Sequence, residues 1–170
     1  IPYLATLLPV LTQKLQEVAK NPTKPHFNHF LFEVLSLSIR IVCSTQPTAV
    51  SNFETVLFPV FQTILTEDVQ EFMPYVFQIL SLLLEAHTEG NIPQPYMELF
   101  QFLLIPVLWE RPGNIRPLVR LLQAYIRVGA AEVNAIGKVE PLLGVFQKLV
   151  ASKRSEEHTS ELQSPCNLVC

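Results

Sequence analysis

Apolar residues recur along this chain at three- and four-residue intervals, the period of amphipathic helices. The pattern predicts seven helical segments, over residues 2–20, 26–44, 47–66, 68–88, 94–110, 114–129 and 131–151. Breaks fall at Asn21-Pro22, Pro25, Gln46-Pro47, Glu67-Asp68, Gly90 to Pro95, Pro112-Gly113 and Gly129. Asp68 stands where an N-cap of the following helix is expected. No run alternates with the two-residue period of a half-buried strand.

The segments pair, and the pairs repeat. The first member of each pair carries Leu7-Leu8-Pro9-Val10-Leu11, then Leu57-Phe58-Pro59-Val60-Phe61, then Leu104-Ile105-Pro106-Val107-Leu108, with a weaker copy at Val139-Glu140-Pro141-Leu142-Leu143. The second member carries Phe32-Glu33-Val34-Leu35-Ser36-Leu37, matched by Phe77-Gln78-Ile79-Leu80-Ser81-Leu82 and by Val119-Arg120-Leu121-Leu122-Gln123-Ala124. A two-helix unit repeating at 35–50 residues predicts an all-α HEAT-repeat α-solenoid of about three and a half two-helix repeats. Proline inside the first helix favours HEAT over armadillo, because it removes a backbone bond and bends that helix. One pair cannot bury both of its apolar faces, so neighbours must stack.

Equivalent second helices keep polar residues among apolar neighbours: Glu33, Ser36 and Arg40; Gln78, Ser81 and Glu85; Arg120, Gln123 and Arg127. Spacings of three and four put each triplet on one helix face. Stacking at about 10 Å would set the triplets side by side as a polar, concave surface of the kind solenoids offer to protein partners. The same stripe reads equally as a solvated face with ion pairs worth ~0–1 kcal/mol each. Trp109 closes a very apolar segment and is expected in the core or between repeats.

Composition narrows the function. Hydrophobic residues make up 49% of the 170 and charged ones 16%, with a net charge of −3. This is a chain with a large core and without the basic stripe that nucleic acid requires. The most apolar run, Phe30 to Cys43, is interrupted by Glu33 and Arg40, short of the ~20 residues of a membrane span, so no membrane insertion is expected. The chain opens on Ile1 without a basic n-region, which predicts no signal peptide and an intracellular setting. Cys43 is expected to be a buried thiol, and Cys166 and Cys170 suggest no disulfide framework.

His26 and His29 have metal-ligand spacing, but no carboxylate or Cys completes a set, and metal is not expected. His87 is placed by a helix C-terminus, where the dipole favours a cation. No nucleotide, metalloprotease or nucleophile motif is present, so the reading is of a non-enzyme with no cofactor. Arg154 to Ser164 is polar, lacks the repeat pattern and resembles the one-frame translation of a sequencing adapter. Residues 154–170 are therefore expected to be a non-native or disordered tail, and 1–153 the repeat segment.

Three long strings are distinctive: Asn21-Pro22-Thr23-Lys24-Pro25-His26-Phe27-Asn28-His29-Phe30, Glu89-Gly90-Asn91-Ile92-Pro93-Gln94-Pro95-Tyr96, and Leu108-Trp109-Glu110-Arg111-Pro112-Gly113-Asn114. On these, residues 1–153 resemble the middle of the importin-alpha re-exporters, exportins of the importin-beta (karyopherin) superfamily. The resemblance implies HEAT repeats, binding of importin-alpha as cargo together with the GTP form of the small GTPase Ran, and passage through nuclear pore proteins. It also implies shuttling between nucleus and cytoplasm, without enzymatic activity of the exportin itself. It transfers no individual contact residues. A HEAT scaffold for assembly of protein complexes is the alternative reading.

Overall fold

The structure, a computed structural model, describes the backbone of residues 4–87 and 90–162 and the side chains of residues 6–87 and 90–151. Cys166, Cys170 and the side chain of His158 lie outside the described residues. Those residues form seven α-helices and no strand: α1 Leu4–Ala19, α2 Pro25–Thr45, α3 Val50–Thr66, α4 Met73–Glu85, α5 Gln94–Leu103, α6 Pro112–Ala135 and α7 Val139–Leu162. Helices two apart in sequence pack together, α1 on α3, α2 on α4 and α4 along α6. Consecutive helices therefore fall into two layers, as the HEAT-type α-solenoid reading requires. A continuous core runs between the layers, with Phe53, Leu57 and Ile64 of α3, Phe77, Leu80 and Leu84 of α4, and Leu118, Leu121 and Leu122 of α6 all buried.

The proline motif divides in the structure. Pro9 and Pro59 sit inside α1 and α3 as expected. Pro106 does not: α5 ends at Leu103 and residues 106–108 form a 3₁₀ turn, so the segment expected over 94–110 is broken. All three prolines lack the N–H. At the third copy, side-chain donors six residues further along take up nearby carbonyls. The Trp109 indole donates to the Leu103 carbonyl (2.8 Å) and the buried Asn114 amide to that of Leu108 (3.2 Å). Trp109 also meets the Phe146 ring of α7 edge-on, so it is an inter-helix packing residue as expected.

Asp68 does not cap α4, which begins five residues later, at Met73. It adopts a left-handed φ of 52° and ends α3, with the Val69 N–H reaching back to the Ile64 carbonyl (3.0 Å). Its carboxylate is thereby free to take both amino groups of Arg111 from the next repeat, at 2.5 and 2.8 Å. Hydrogen bonds from Arg111 hold the Asp68 carboxyl below its ordinary 3.8. A depressed folded value means the contribution is complete above pH 3.8 and is lost as pH falls through the lowered value. Asp68→Asn should therefore unfold at lower urea than the parent at neutral pH. The two midpoints should converge as the pH is taken below 3.8.

The break expected at Gly129 is a kink, not an end. Gly129 leaves helical geometry (φ −148°, ψ 56°), yet α6 resumes to Ala135. A Cβ there would lie 2.6 Å from Cγ1 of Ile92, so a larger residue would have to displace the Ile92 side chain of the loop that precedes α5. Glu132, just past the kink, accepts from the Ile92 N–H at 2.7 Å and pins that loop. Residues 131–135 thus belong to α6, and the fourth proline copy opens α7 instead of lying within it. The backbone of α7 runs on to Leu162.

α2 exceeds the sequence expectation, being 21 residues long and, with a mean hydropathy of 1.3, apolar enough by length and composition to cross a membrane. Its apolarity divides between two faces. Phe32, Leu35 and Ile39 are buried, with Phe32 stacked on Tyr75 of α4. Phe30, Val34, Leu37 and Ile41 form an exposed row, with Leu37 at its edge towards α4. Glu33 and Arg40 would each cost ~2.5–3.5 kcal/mol at a bilayer centre.

Candidate protein-binding groove

The second-helix layer is where the sequence places the polar stripe, and the structure gathers part of it. Glu33, Ser36 and Arg40 of α2, Gln78 of α4 and Arg120 of α6 line one groove of about 410 Å³ that crosses three consecutive second helices. Ser81 does not reach it. α4 lies between α2 and α6, which leaves it a narrow exposed arc. Ser81 falls inside the packed side, buried, with its hydroxyl donating to the Gln78 carbonyl at 2.7 Å.

Glu85, Gln123 and Arg127 also lie outside the lining. Glu85 is half-buried and draws in two arginines of α6, Arg127 at 3.2 Å and Arg120 at 3.7 Å. Gln123 is exposed beside it.

Four groove residues were absent from the stripe: Leu37, Leu82, Arg116 and Pro117. The sequence carried a signal for three of them. Arg116 lies four residues before Arg120 on the same helix face. Leu37 and Leu82 are equivalent positions of the repeated Ser-Leu dipeptide. They give the groove an apolar side that a purely polar stripe lacks.

A second concavity opens in the first-helix layer. α3 and α5 diverge and leave an apolar cleft of about 350 Å³ lined by Phe58, Phe61, Leu65, Leu99 and Phe102. Beneath it runs a polar chain that the sequence did not reveal. Glu54 of α3 accepts from the Tyr96 hydroxyl of α5 at 2.8 Å and pairs with Nε2 of His87 at 2.7 Å. The Tyr125 hydroxyl of α6 donates to the Tyr96 carbonyl at 2.6 Å. Burial, reinforced by Glu54, pushes the Tyr96 hydroxyl far above its ordinary range, and burial does the same for Tyr125. Both remain neutral donors. His87 is therefore held by a side chain of another helix, where a helix dipole was expected to favour it. Cys43 is buried as expected, its thiol pushed up by burial and then by Glu54.

His29 contacts the Tyr75 hydroxyl through Nδ1 at 3.1 Å, while His26 is exposed. Among the described residues, no three His, Cys, Asp or Glu side chains gather as a metal site.

The stacked pairs and a groove open across them define a helical-repeat protein of the kind that binds other proteins along one layer. The family described as CAS/CSE protein, C-terminus, matches residues 1–164, and the chain belongs to it. Curated relatives include exportin-2 of Danio rerio, 62% identical over 158 residues, and exportin-2 of Homo sapiens, 60% identical over 158. Each alignment covers 92% of this chain and 16% of the relative, so the chain spans about a sixth of their length. Among solved structures, "The exportin Cse1 in its cargo-free, cytoplasmic state" superimposes with a TM-score of 0.78 at 36% identity. That superposition covers 92% of this chain and 16% of the other.

Proposed function

We propose that this chain is a segment of a nuclear export receptor that carries importin-alpha from nucleus to cytoplasm in complex with GTP-bound Ran. The observation that carries the reading is the match to the CAS/CSE family over residues 1–164, with exportin-2 relatives at 60–62% identity. In this reading the segment works by binding alone. It contributes no catalysis, needs no cofactor and moves with the receptor through nuclear pore proteins between the two compartments. The stripe residues Glu33, Arg40, Gln78 and Arg120, already gathered in the groove, supply a protein-contact face.

The test uses the complete protein that contains this segment, immobilised and offered importin-alpha with Ran loaded with GTP or GDP. Capture that depends on GTP-Ran is expected, and Arg40→Glu with Arg120→Glu should weaken it. Capture indifferent to the Ran nucleotide would point instead to a HEAT scaffold. Capture indifferent to the groove charges would remove this face from the contact.

A further inference from the structure

We propose that the groove across α2, α4 and α6 receives an extended acidic peptide segment in which carboxylates alternate with apolar side chains. This rests on the reading of the second-helix layer as a protein-binding face and adds the chemistry of what it binds.

Charge is the first argument. Three guanidinium groups line the groove, Arg40 from one wall and Arg116 and Arg120 from the other, against the single carboxylate of Glu33. Among the described residues, no carboxylate lies within ion-pair distance of Arg40 or Arg116. Arg120 has only a long 3.7 Å contact to Glu85, which Arg127 shares. Arg116 and Arg120 are also four residues apart on one helix, a like-charge spacing that disfavours the helix until an anion intervenes. A concave, low-dielectric wall lined by one sign of charge concentrates the field on an incoming opposite charge. Guanidinium groups take carboxylates through paired hydrogen bonds.

Shape is the second argument. Neighbouring second helices stand ~10 Å apart. The span from α2 to α6 is then about 20 Å, which about six extended residues cover at ~3.3 Å each. Leu37 and Leu82 offer apolar contact between the two charged walls, and Gln78 offers hydrogen bonds to a peptide backbone. A strand laid across them would turn alternate side chains to arginine and to leucine. A nucleic acid fits less well: the groove holds no aromatic ring for base stacking, and Glu33 lies inside it.

The probe is a labelled peptide of alternating glutamate and leucine, about twelve residues long, which extended is about twice the groove's span. It is titrated by fluorescence anisotropy into the complete protein that contains this segment. Binding about tenfold tighter than that of a glutamine–leucine counterpart is expected, weakening as salt rises. Arg40→Glu with Arg116→Glu should weaken it by a further factor of about ten, while Lys14→Glu with Lys20→Glu, the same total charge change on exposed residues at α1 and its C-terminal end, should leave it within about twofold. Both arginines are exposed, so folding should survive; the single Arg40→Gln and Arg116→Gln variants repeat the test at smaller perturbation.

Equal binding of the two peptides would overturn the inference, as would equal weakening by the Lys14→Glu, Lys20→Glu pair. Ran-dependent importin-alpha capture by the same variants separates this from the broader reading. Lost capture without selective peptide binding keeps the face and rejects the acidic ligand. Selective peptide binding with unchanged capture supports the groove's ligand class and removes it from transport.

Discussion

Tyr125→Ala is expected to cost roughly 3–5 kcal/mol of stability, by analogy with other truncations of buried aromatic side chains. Tyr125 is fully buried on α6, with its ring edge-on to Phe100 at 5.0 Å and to Tyr96 at 6.4 Å. Those rings carry α5 onto α6, so truncation opens a cavity between helices of the same pair. At ~2–4 °C per kcal/mol the melting temperature should fall by roughly 10 °C. Tyr125→Phe keeps the ring and loses only the 2.6 Å bond to the Tyr96 carbonyl, a change of about 1 kcal/mol. Urea unfolding of the three proteins checks both numbers. If the Phe and Ala variants were equally unstable, the hydrogen bond and not the packed ring would hold α5 in place.

Glu54→Ala should cost about 2–4 kcal/mol, because it leaves the Tyr96 hydroxyl buried without its acceptor. Tyr96 is itself only 1% exposed, so water cannot replace the carboxylate there. The His87 ring is 17% exposed and can turn towards solvent, which keeps the cost below that of a fully enclosed pair. Glu54→Gln retains a carbonyl acceptor and should recover about half of the loss. Tyr96→Phe combined with Glu54→Ala should be less destabilising than the two separate effects added, since each removes the same bond. Strict additivity in that cycle would mean that the 2.8 Å contact contributes nothing to holding α3 against α5.

The legible parts of this fold are those set by local periodicity. The apolar spacing of α1 to α3 located those helices to within three residues, because each buries one continuous stripe, while α4 starts five residues later than expected. The repeated Leu-x-Pro and Ser-Leu strings gave the pairing. The polar stripe on second helices was readable for the same reason, since equivalent positions of stacked units share one environment. Ser81 departed from it because α4 is flanked on both sides, and a single helix's sequence does not show how many neighbours it has.

What the sequence determined by itself is the helical class, the two-helix repeat and the region that carries the groove. Each follows from patterns repeated within one or two turns of helix. Tertiary structure decided the rest. Pro59 stays inside its helix while Pro106 ends one, because Trp109 and Asn114 are in place to satisfy the carbonyls released near the third copy. Asp68 became a helix end and a partner of Arg111 across 43 positions in place of a cap. Gly129 became a kink because Ile92 presses against it and Glu132 holds the same loop. Glu54, His87, Tyr96 and Tyr125 form one chain from residues scattered over three helices and a loop. At Pro106 the deciding donors lie six residues from the carbonyls they satisfy, outside the three- and four-residue helical period; in the other cases the partner is distant in sequence, and a contact between distant residues leaves no period for the sequence to display.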